Sequence, residues 1–168
     1  MAIRIRHELP GDVPAIEQVT VEAFRTAGHA SGTESFIVRA LRDARQLTVS
    51  LVAEHDGALV GYVAASPVVL SSGAPGWHGL GPVAVLPRCQ RRGTGTQLIR
   101  AALAELRAAG AAGCVVLGEP RYYARFGFRS NAALRLAGVP AGYFQALAFR
   151  GRLPAGEVVY HEAFSARG

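Results

Sequence analysis

The sequence predicts an α/β domain, with a hairpin near the start of its sheet and helices on the faces of that sheet. Three observations lead to this prediction. Residues 3–6 alternate between isoleucine and arginine, the pattern of a half-buried strand. Asp56-Gly57 separates two runs rich in strand-forming residues, which is a strong hairpin signal. Apolar residues recur at helical spacing over residues 93–109, which predicts an amphipathic helix.

The remaining elements follow from the same patterns. In the first half, Gly11-Asp12 precedes a helix whose first turn contains Pro14, and a second helix covers about residues 33–45. Strands are predicted at residues 47–54, 58–66, 80–86, 114–117, 134–136 and 157–164, the last two on weaker signals. A short helical turn is predicted near Tyr122-Tyr123. The segments 68–78 and 138–154 contain no motif and are predicted to be loops.

Composition and length describe one globular domain, predicted to span residues 1–168. Half of the residues are hydrophobic, yet the apolar runs are far shorter than the roughly 18 residues of a membrane helix. The N-terminal residues alternate as a strand does and do not form a signal peptide. We therefore expect no membrane partner and a cytoplasmic location.

The charged residues predict an anionic ligand. The formal net charge is +6, and all 18 basic residues are arginine. These arginines are spread along the chain without interleaved aromatic residues, so nucleic-acid binding is not expected. The two cysteines, Cys89 and Cys114, lie far apart and have no histidine at metal-ligand spacing. No metal site is therefore expected.

Residues 83–96 carry the clearest chemical signal. A buried strand ends at Pro87, a basic turn follows, and a helix begins at Gly93. The first N–H groups of a helix have no intrahelical partner, and its dipole places partial positive charge there. Glycines let phosphate oxygens approach those amides closely, and Arg91 and Arg92 add charge. The segment is thus a candidate phosphate or pyrophosphate site.

Two common phosphate-binding motifs do not fit this segment. A dinucleotide-binding fingerprint requires glycine three residues after Gly95, where the chain has Leu98. A P-loop requires a lysine, and the chain contains none. The site must therefore belong to another class.

Two blocks of sequence resemble the GNAT N-acetyltransferases. Residues 90–95, Gln-Arg-Arg-Gly-Thr-Gly, are similar to that family's Q/R-x-x-G-x-G/A signature and follow a V-x-V-x-P strand. Tyr123 begins a Y-x-x-x-G-F block that ends at Phe128. The Y-Y-x-R-F-G-F form and residues 160–164 resemble the YhbS-like bacterial branch. The resemblance covers nearly the whole chain, residues 3–164.

The resemblance implies a fold and a co-substrate. The fold is a mixed, mostly antiparallel, twisted sheet of six to seven strands with helices on both faces and a V-shaped splay between the fourth and fifth strands. The co-substrate is acetyl-CoA, held by the exposed backbone edge of a strand and by the amides of the glycine-rich turn. The implied binding residues are Val83, Ala84, Val85, Gln90, Arg91, Arg92, Gly93, Thr94, Gly95 and Thr96.

The resemblance also implies the chemistry. The acetyl group passes to a primary amine by direct attack in a ternary complex, and a backbone N–H of the strand could stabilise the thioester oxyanion. Tyr123 would protonate the departing thiolate, because a phenol stays protonated near neutral pH. Gly79 stands where some relatives have a glutamate base. His78, Glu119, Glu34 and Glu22 are therefore the alternatives for the base.

The acceptor stays open at this point. A small-molecule or peptide amine is expected, and a homodimer is an arrangement that the sequence leaves open. A module or sensor that binds CoA without catalysis is the alternative function, since the binding signature could persist without a base.

Overall fold

The structure, a computed structural model, describes residues 2–25 and 32–167. Its strands are β1 (Arg4–His7), β2 (Val49–His55), β3 (Ala58–Leu70), β4 (Trp77–Val85), β5 (Gly113–Leu117), β6 (Leu134–Arg135), β7 (Phe144–Ala148) and β8 (Gly156–Tyr160). Its helices are α1 (Val13–Arg25), α2 (Glu34–Asp43), α3 (Thr94–Ala108) and α4 (Pro120–Ala124).

The strands form one mixed sheet of eight strands. Its main path runs in the order β1-β2-β3-β4-β5-β7, and β8 pairs with both β3 and β6. Only the β4–β5 and β6–β8 pairs are parallel among the pairs described. The predicted mixed, mostly antiparallel sheet is therefore confirmed, with one strand more than the six to seven expected.

The predicted hairpin joins β2 and β3. His55 pairs with Ala58, so Asp56 and Gly57 form a two-residue turn. Their φ angles are 50° and 80°, both in the left-handed region. Positive φ at both central positions defines a type I′ turn, which matches the twist of paired strands and favours Asp-Gly.

Helices cover both faces of the sheet, as predicted. On β3, Tyr62 packs with Ile16 of α1 and Val38 of α2. Its neighbour Val63 belongs to the larger core that contains Leu98 of α3. Successive side chains of a strand point to opposite faces, so two adjacent residues that are both 0% exposed require cover on both sides.

The strand β7 lies inside the segment predicted to be a loop, so that prediction is wrong there. It pairs antiparallel with β5 through all five of its residues. Its sequence lacks a strand signal because the polar residue Gln145 interrupts the apolar pattern. In the structure Gln145 is nevertheless buried, 2% exposed. The Gln145 Nε2 donates a hydrogen bond to the carbonyl oxygen of Gly118 at 3.0 Å, which satisfies the buried amide.

Two predicted boundaries also differ from the structure. The loop predicted over residues 68–78 is shorter in the structure, because β3 extends to Leu70, where it pairs with β8, and β4 begins at Trp77. The last strand ends at Tyr160 instead of continuing to residue 164. A 3₁₀ turn follows, begun by His161, whose Nδ1 accepts a hydrogen bond from the N–H of Ala163 at 3.0 Å.

The sheet opens between β4 and β5, as the resemblance implied. The two strands pair from Trp77 to Leu80, and the register ends there. The two residues Gly81 and Pro82 then face a single residue of β3, Ala64, so β4 contains a bulge at this point. A bulge bends its strand, and residues 83–85 continue along β3. The resulting V-shaped gap forms the centre of the site.

Candidate active site

Two cavities meet where β4 and β5 part. The first, the apolar cavity, has a volume of about 480 Å³ and thirteen lining residues among those described. The second, the glycine-turn groove, has a volume of about 600 Å³ and lies along β4 and the start of α3. Val83 and Tyr123 line both cavities. A ligand in the groove and a ligand in the apolar cavity would therefore meet at these two residues.

The start of α3 forms one wall of the groove. Gly93 is the N-cap, with φ of 83°, and no side chain caps the helix. The amides of the first turn therefore keep their hydrogen-bonding capacity, in the positive field of the helix dipole. A Cβ on Gly95 would lie 3.3 Å from the Tyr122 hydroxyl and 3.7 Å from Val85 Cγ2, so the missing side chain keeps this end of the groove open.

The basic turn before α3 is attached to the strand. Gln90 Nε2 donates a hydrogen bond to the carbonyl oxygen of Val85 at 3.0 Å. Arg91 adopts a left-handed conformation, with φ of 62°, and lines the groove. Gln90 thus fixes the turn against β4, and Arg91 provides the charge.

Tyr122 and Arg125 complete the groove, and the sequence reasoning missed both. The Tyr122 hydroxyl lies 3.2 Å from Thr96 Oγ1. The guanidinium carbon of Arg125 lies 4.5 Å from the centre of the Tyr122 ring, a cation–π contact. The Y-x-x-x-G-F block singled out only the second tyrosine, so no signal in it marked the first.

Tyr123 occupies the junction of the two cavities. Its ring packs edge-on against Phe128, with centroids 5.8 Å apart. A Cβ on Gly118 would lie 2.5 Å from Tyr123 Cε2, so only glycine at position 118 leaves room for this ring position. Burial, with smaller contributions from the nearby Tyr122 and Cys114, raises the pKa of Tyr123 to about 12. The phenol therefore stays protonated at any physiological pH.

The apolar cavity contains three polar side chains among its described lining residues: Glu34, Tyr123 and Tyr160. The other ten are apolar residues or glycine. The Tyr160 ring stacks edge-on with Phe164, with centroids 4.8 Å apart. Its hydroxyl is buried and has no hydrogen-bond partner among the described residues, and burial raises its pKa. Both tyrosines of the cavity are thus neutral.

His78 and Glu119 lie outside the described lining of both cavities. His78 belongs to the part of β4 that still pairs with β5, opposite Cys114. Burial lowers its pKa, which keeps the imidazole neutral. Glu119 is exposed and is the N-cap of α4, where its Oε1 accepts a hydrogen bond from the N–H of Arg121 at 3.2 Å. The geometry gives Glu119 a capping role.

The two other acidic candidates, Glu34 and Glu22, lie in different parts of the structure. Glu34, in the first turn of α2, lines the apolar cavity together with Tyr123. Glu22, on α1, lies on the surface, where its Oε1 accepts a hydrogen bond from Gln18 Nε2 at 3.2 Å. Only Glu34, of the four residues suggested by sequence, lines the cavity beside Tyr123.

Seven of the ten expected cofactor-binding residues line the groove: Val83, Val85, Gln90, Arg91, Gly93, Gly95 and Thr96. The side chains of the other three do not. Ala84 and Thr94 are buried, each 1% exposed, although Thr94 still contributes a first-turn amide. Arg92 is exposed and lies outside the groove lining.

The comparison with known proteins identifies the family. Residues 13–128 match the model of the acetyltransferase (GNAT) family. The chain is also 38% identical, over 129 residues, to the uncharacterized N-acetyltransferase YhbS of Escherichia coli K12. The aligned residues cover 76% of this chain and 74% of YhbS. The chain belongs to the GNAT acetyltransferase family. This GNAT chain is thus an acyltransferase, and its resemblance to YhbS is confirmed.

Two crystal structures share the whole architecture of this GNAT chain. A GNAT acetyltransferase from Brucella melitensis, in complex with acetyl-CoA, is 49% identical with a TM-score of 0.87, over 97% of this chain and 98% of that one. YhbS from Escherichia coli, in complex with CoA, is 35% identical with a TM-score of 0.89, over 99% and 93% of the two chains.

Residues 2–25 and 32–167 contain neither a group of metal ligands nor a membrane-spanning helix. In that part of the chain, no three histidine, cysteine or acidic residues are placed to share a metal ion. No helix there has the length and apolar character needed to cross a membrane.

Proposed function

We propose that this GNAT chain transfers the acetyl group of acetyl-CoA to a primary amine, by direct attack while both substrates are bound. The observation that supports this most directly is the meeting of the groove and the apolar cavity at Val83 and Tyr123. The groove would hold acetyl-CoA and the cavity would hold the amine. Holding both reactants at one point favours direct transfer, since it replaces a collision in solution.

The groove fits the pyrophosphate of acetyl-CoA. The uncapped first turn of α3 lines it, Gly95 leaves space there, and Arg91 and Arg125 also line it. Amides at a helix N-terminus together with arginine side chains are a common phosphate-binding arrangement. The Brucella relative is in complex with acetyl-CoA and the Escherichia relative with CoA, which supports acetyl-CoA as the ligand.

The open edge of β4 fits the pantetheine arm. Residues 83–85 pair with β3 on one side, and β5 does not pair with them on the other side. An extended amide-containing chain can pair with such an edge as an added strand. A backbone N–H of the same edge would then be available to the thioester carbonyl oxygen.

Tyr123 is the proposed general acid. As the amine nitrogen bonds to the carbonyl carbon and the carbon–sulfur bond breaks, the phenol proton would pass to the departing sulfur. The raised pKa of Tyr123 keeps that proton on the phenol until it is needed. Tyr123 lines both cavities, so it would lie between the two proposed substrates.

Glu34 is the proposed acceptor of the amine's proton, directly or through water. An amine must be neutral to attack, so its ammonium form has to lose a proton. Glu34 is the carboxylate that the described lining of the cavity provides. His78 and Glu119 lack this position and are not carried into the proposal.

The test is a screen of primary amines with acetyl-CoA, which follows free CoA release and detects the N-acetylated amine by mass spectrometry. We expect CoA release that depends on the amine and equals the product formed. Binding of acetyl-CoA without product from any amine would contradict the proposal and favour a CoA-binding module without catalysis.

A further inference from the structure

The charges around the apolar cavity restrict its ligand. We infer that the acceptor is a small primary amine with an apolar body, a single positive charge and no carboxylate. This inference rests on the proposed function, because it takes the apolar cavity to be the acceptor site. It adds the chemical class of the acceptor, which membership of the family does not specify.

The described lining contains one charged side chain, the carboxylate of Glu34. An ammonium group bound there would have an opposite charge beside it. A second ammonium group, as in a polyamine, would have no further carboxylate in the described lining. Charged groups that leave water without a partner lose their hydration without compensation, so the second charge would weaken binding.

The described lining contains no arginine, although the protein has 18. The residues outside the described part contain no arginine, and His29 is the one basic residue among them. A carboxylate on the acceptor would therefore have no guanidinium to pair with in the cavity, and Glu34 would repel it. Free amino acids are disfavoured for this reason.

The walls of the cavity are apolar. Phe24, Ile37 and Phe164 come from α1, α2 and the last 3₁₀ turn, and Leu117 and Leu136 come from the ends of β5 and β6. Leu117 is 50% exposed. An apolar ligand body would cover such surface and gain about 25 cal/mol for each Å² removed from water. Sugars with many hydroxyl groups would find few partners here.

The experiment compares ligands that differ by one group. Phenylethylamine, phenylalanine, phenylalaninamide and spermidine are titrated into the protein with saturating CoA, and the Kd of each is measured by calorimetry. Phenylalanine adds only a carboxylate to phenylethylamine, and its amide removes that charge again. We expect phenylalanine to bind at least about tenfold more weakly than phenylethylamine, a difference of about 1.4 kcal/mol. Phenylalaninamide should recover the lost affinity.

A cavity variant tests the same point from the protein side. Ala137 is exposed and lines the cavity, so Ala137→Arg introduces a cation without disturbing the core. This variant should bind phenylalanine more tightly and phenylethylamine less tightly. Ala133→Arg is the matched control, because Ala133 is exposed and lies outside the described lining. It should leave both values unchanged.

Each outcome decides the inference. Phenylalanine or spermidine binding as tightly as phenylethylamine would overturn it, as would an absence of binding by phenylethylamine. An unchanged preference in Ala137→Arg would also count against it. The proposed function fails separately: phenylethylamine that binds in the expected order but is never acetylated contradicts acetyl transfer to this class. Acetylation of spermidine or phenylalanine alone would support transfer and overturn the acceptor class.

Discussion

Tyr122 and Tyr123 are adjacent in α4, yet their side chains reach different parts of the site. The Tyr122 hydroxyl lies against Thr96 in the glycine-turn groove. Tyr123 lies at the junction with the apolar cavity. Consecutive residues of a helix point about 100° apart, so under the proposed function Tyr122 would act in binding and Tyr123 in chemistry. Removing one hydroxyl at a time distinguishes these roles.

Tyr123→Phe should lower kcat by about 10²- to 10⁴-fold, the usual contribution of general acid catalysis. The ring and its packing against Phe128 are kept, so the Kd of acetyl-CoA should stay close to its original value. Steady-state kinetics at saturating substrates and a separate acetyl-CoA titration measure the two effects. A folded variant that retains most of its kcat would exclude the acid role.

Two other hydroxyl deletions serve as comparisons. Tyr122→Phe removes the contact with Thr96 and should raise the Kd of acetyl-CoA more than it lowers kcat. Tyr143→Phe is the neutral control, since Tyr143 is 50% exposed and lies outside both cavities. Equal losses in Tyr122→Phe and Tyr123→Phe would indicate that both rings act through packing.

The raised pKa of Tyr123 also predicts how kcat depends on pH. A general acid acts only in its protonated form, and a raised pKa extends that form to higher pH. With a pKa of about 12, Tyr123 should cause no loss of kcat below about pH 10. The measurement is a profile of kcat from neutral to alkaline pH at saturating substrates. An alkaline decline near pH 8 that disappears in Tyr123→Phe would contradict this expectation.

At the scale of elements, the glycines at the start of α3 carry the groove. Gly95→Val would place methyl groups beside Tyr122 and Val85, where space is left for phosphate oxygens. We expect the Kd of acetyl-CoA to rise at least about tenfold, or about 1.4 kcal/mol, with a small effect on the melting temperature. Gly142→Val is the control, because a Cβ there meets no atom within 4 Å. An unchanged Kd of acetyl-CoA in Gly95→Val would contradict the proposal that the pyrophosphate binds at this turn.

A pair of side chains connects β1 to the 3₁₀ turn that precedes α1. Arg6 donates two hydrogen bonds to Asp12, at 2.8 Å and 3.1 Å, and these lower the pKa of the Asp12 carboxyl. A lowered pKa adds stability above the pKa of the unfolded chain, about 3.9, and this stability is lost as pH falls through the folded value.

Asp12→Asn should therefore reduce the free energy of unfolding by about 1.5–3 kcal/mol at pH 7, the range for hydrogen bonds to charged groups. The difference from the original protein should shrink as the pH falls below about 4. Urea unfolding at several pH values measures it. Asp43→Asn, at the exposed end of α2, controls for the loss of one charge. A difference that does not depend on pH would mean that the charge of Asp12 is not responsible.

At the scale of the whole molecule, acetyl-CoA should stabilise the fold. A ligand at about 100 times its Kd adds about 2.7 kcal/mol to the free energy of unfolding. For a chain of this size, that corresponds to a rise in melting temperature of about 5–10 °C. Differential scanning fluorimetry with and without acetyl-CoA measures the rise, which should be smaller in Gly95→Val. An unmoved melting temperature at millimolar acetyl-CoA would contradict binding.

Local patterns predicted much of the molecule, and the misses share one cause. The hairpin at Asp56-Gly57 and the helix after Gly93 depend on neighbours within a few residues, so the sequence showed both. The strand β7 was missed because Gln145 is tolerated in the core only through its bond to Gly118, 27 residues away. His78 was suggested for its chemistry, but its place on β4 keeps it out of the described cavity lining.

By itself, the sequence determined the family, the glycine turn at the start of α3 and the tyrosine that follows β5, because each is encoded within one short segment. Only the tertiary structure decided which distant side chains share a cavity. Glu34, Tyr123 and Tyr160 come from α2, α4 and β8, and they line one space because the bulge at Gly81 and Pro82 parts β4 from β5. The charge of that cavity, and hence the proposed acceptor class, depends on side chains from all of these elements together. No local sequence pattern contains that information.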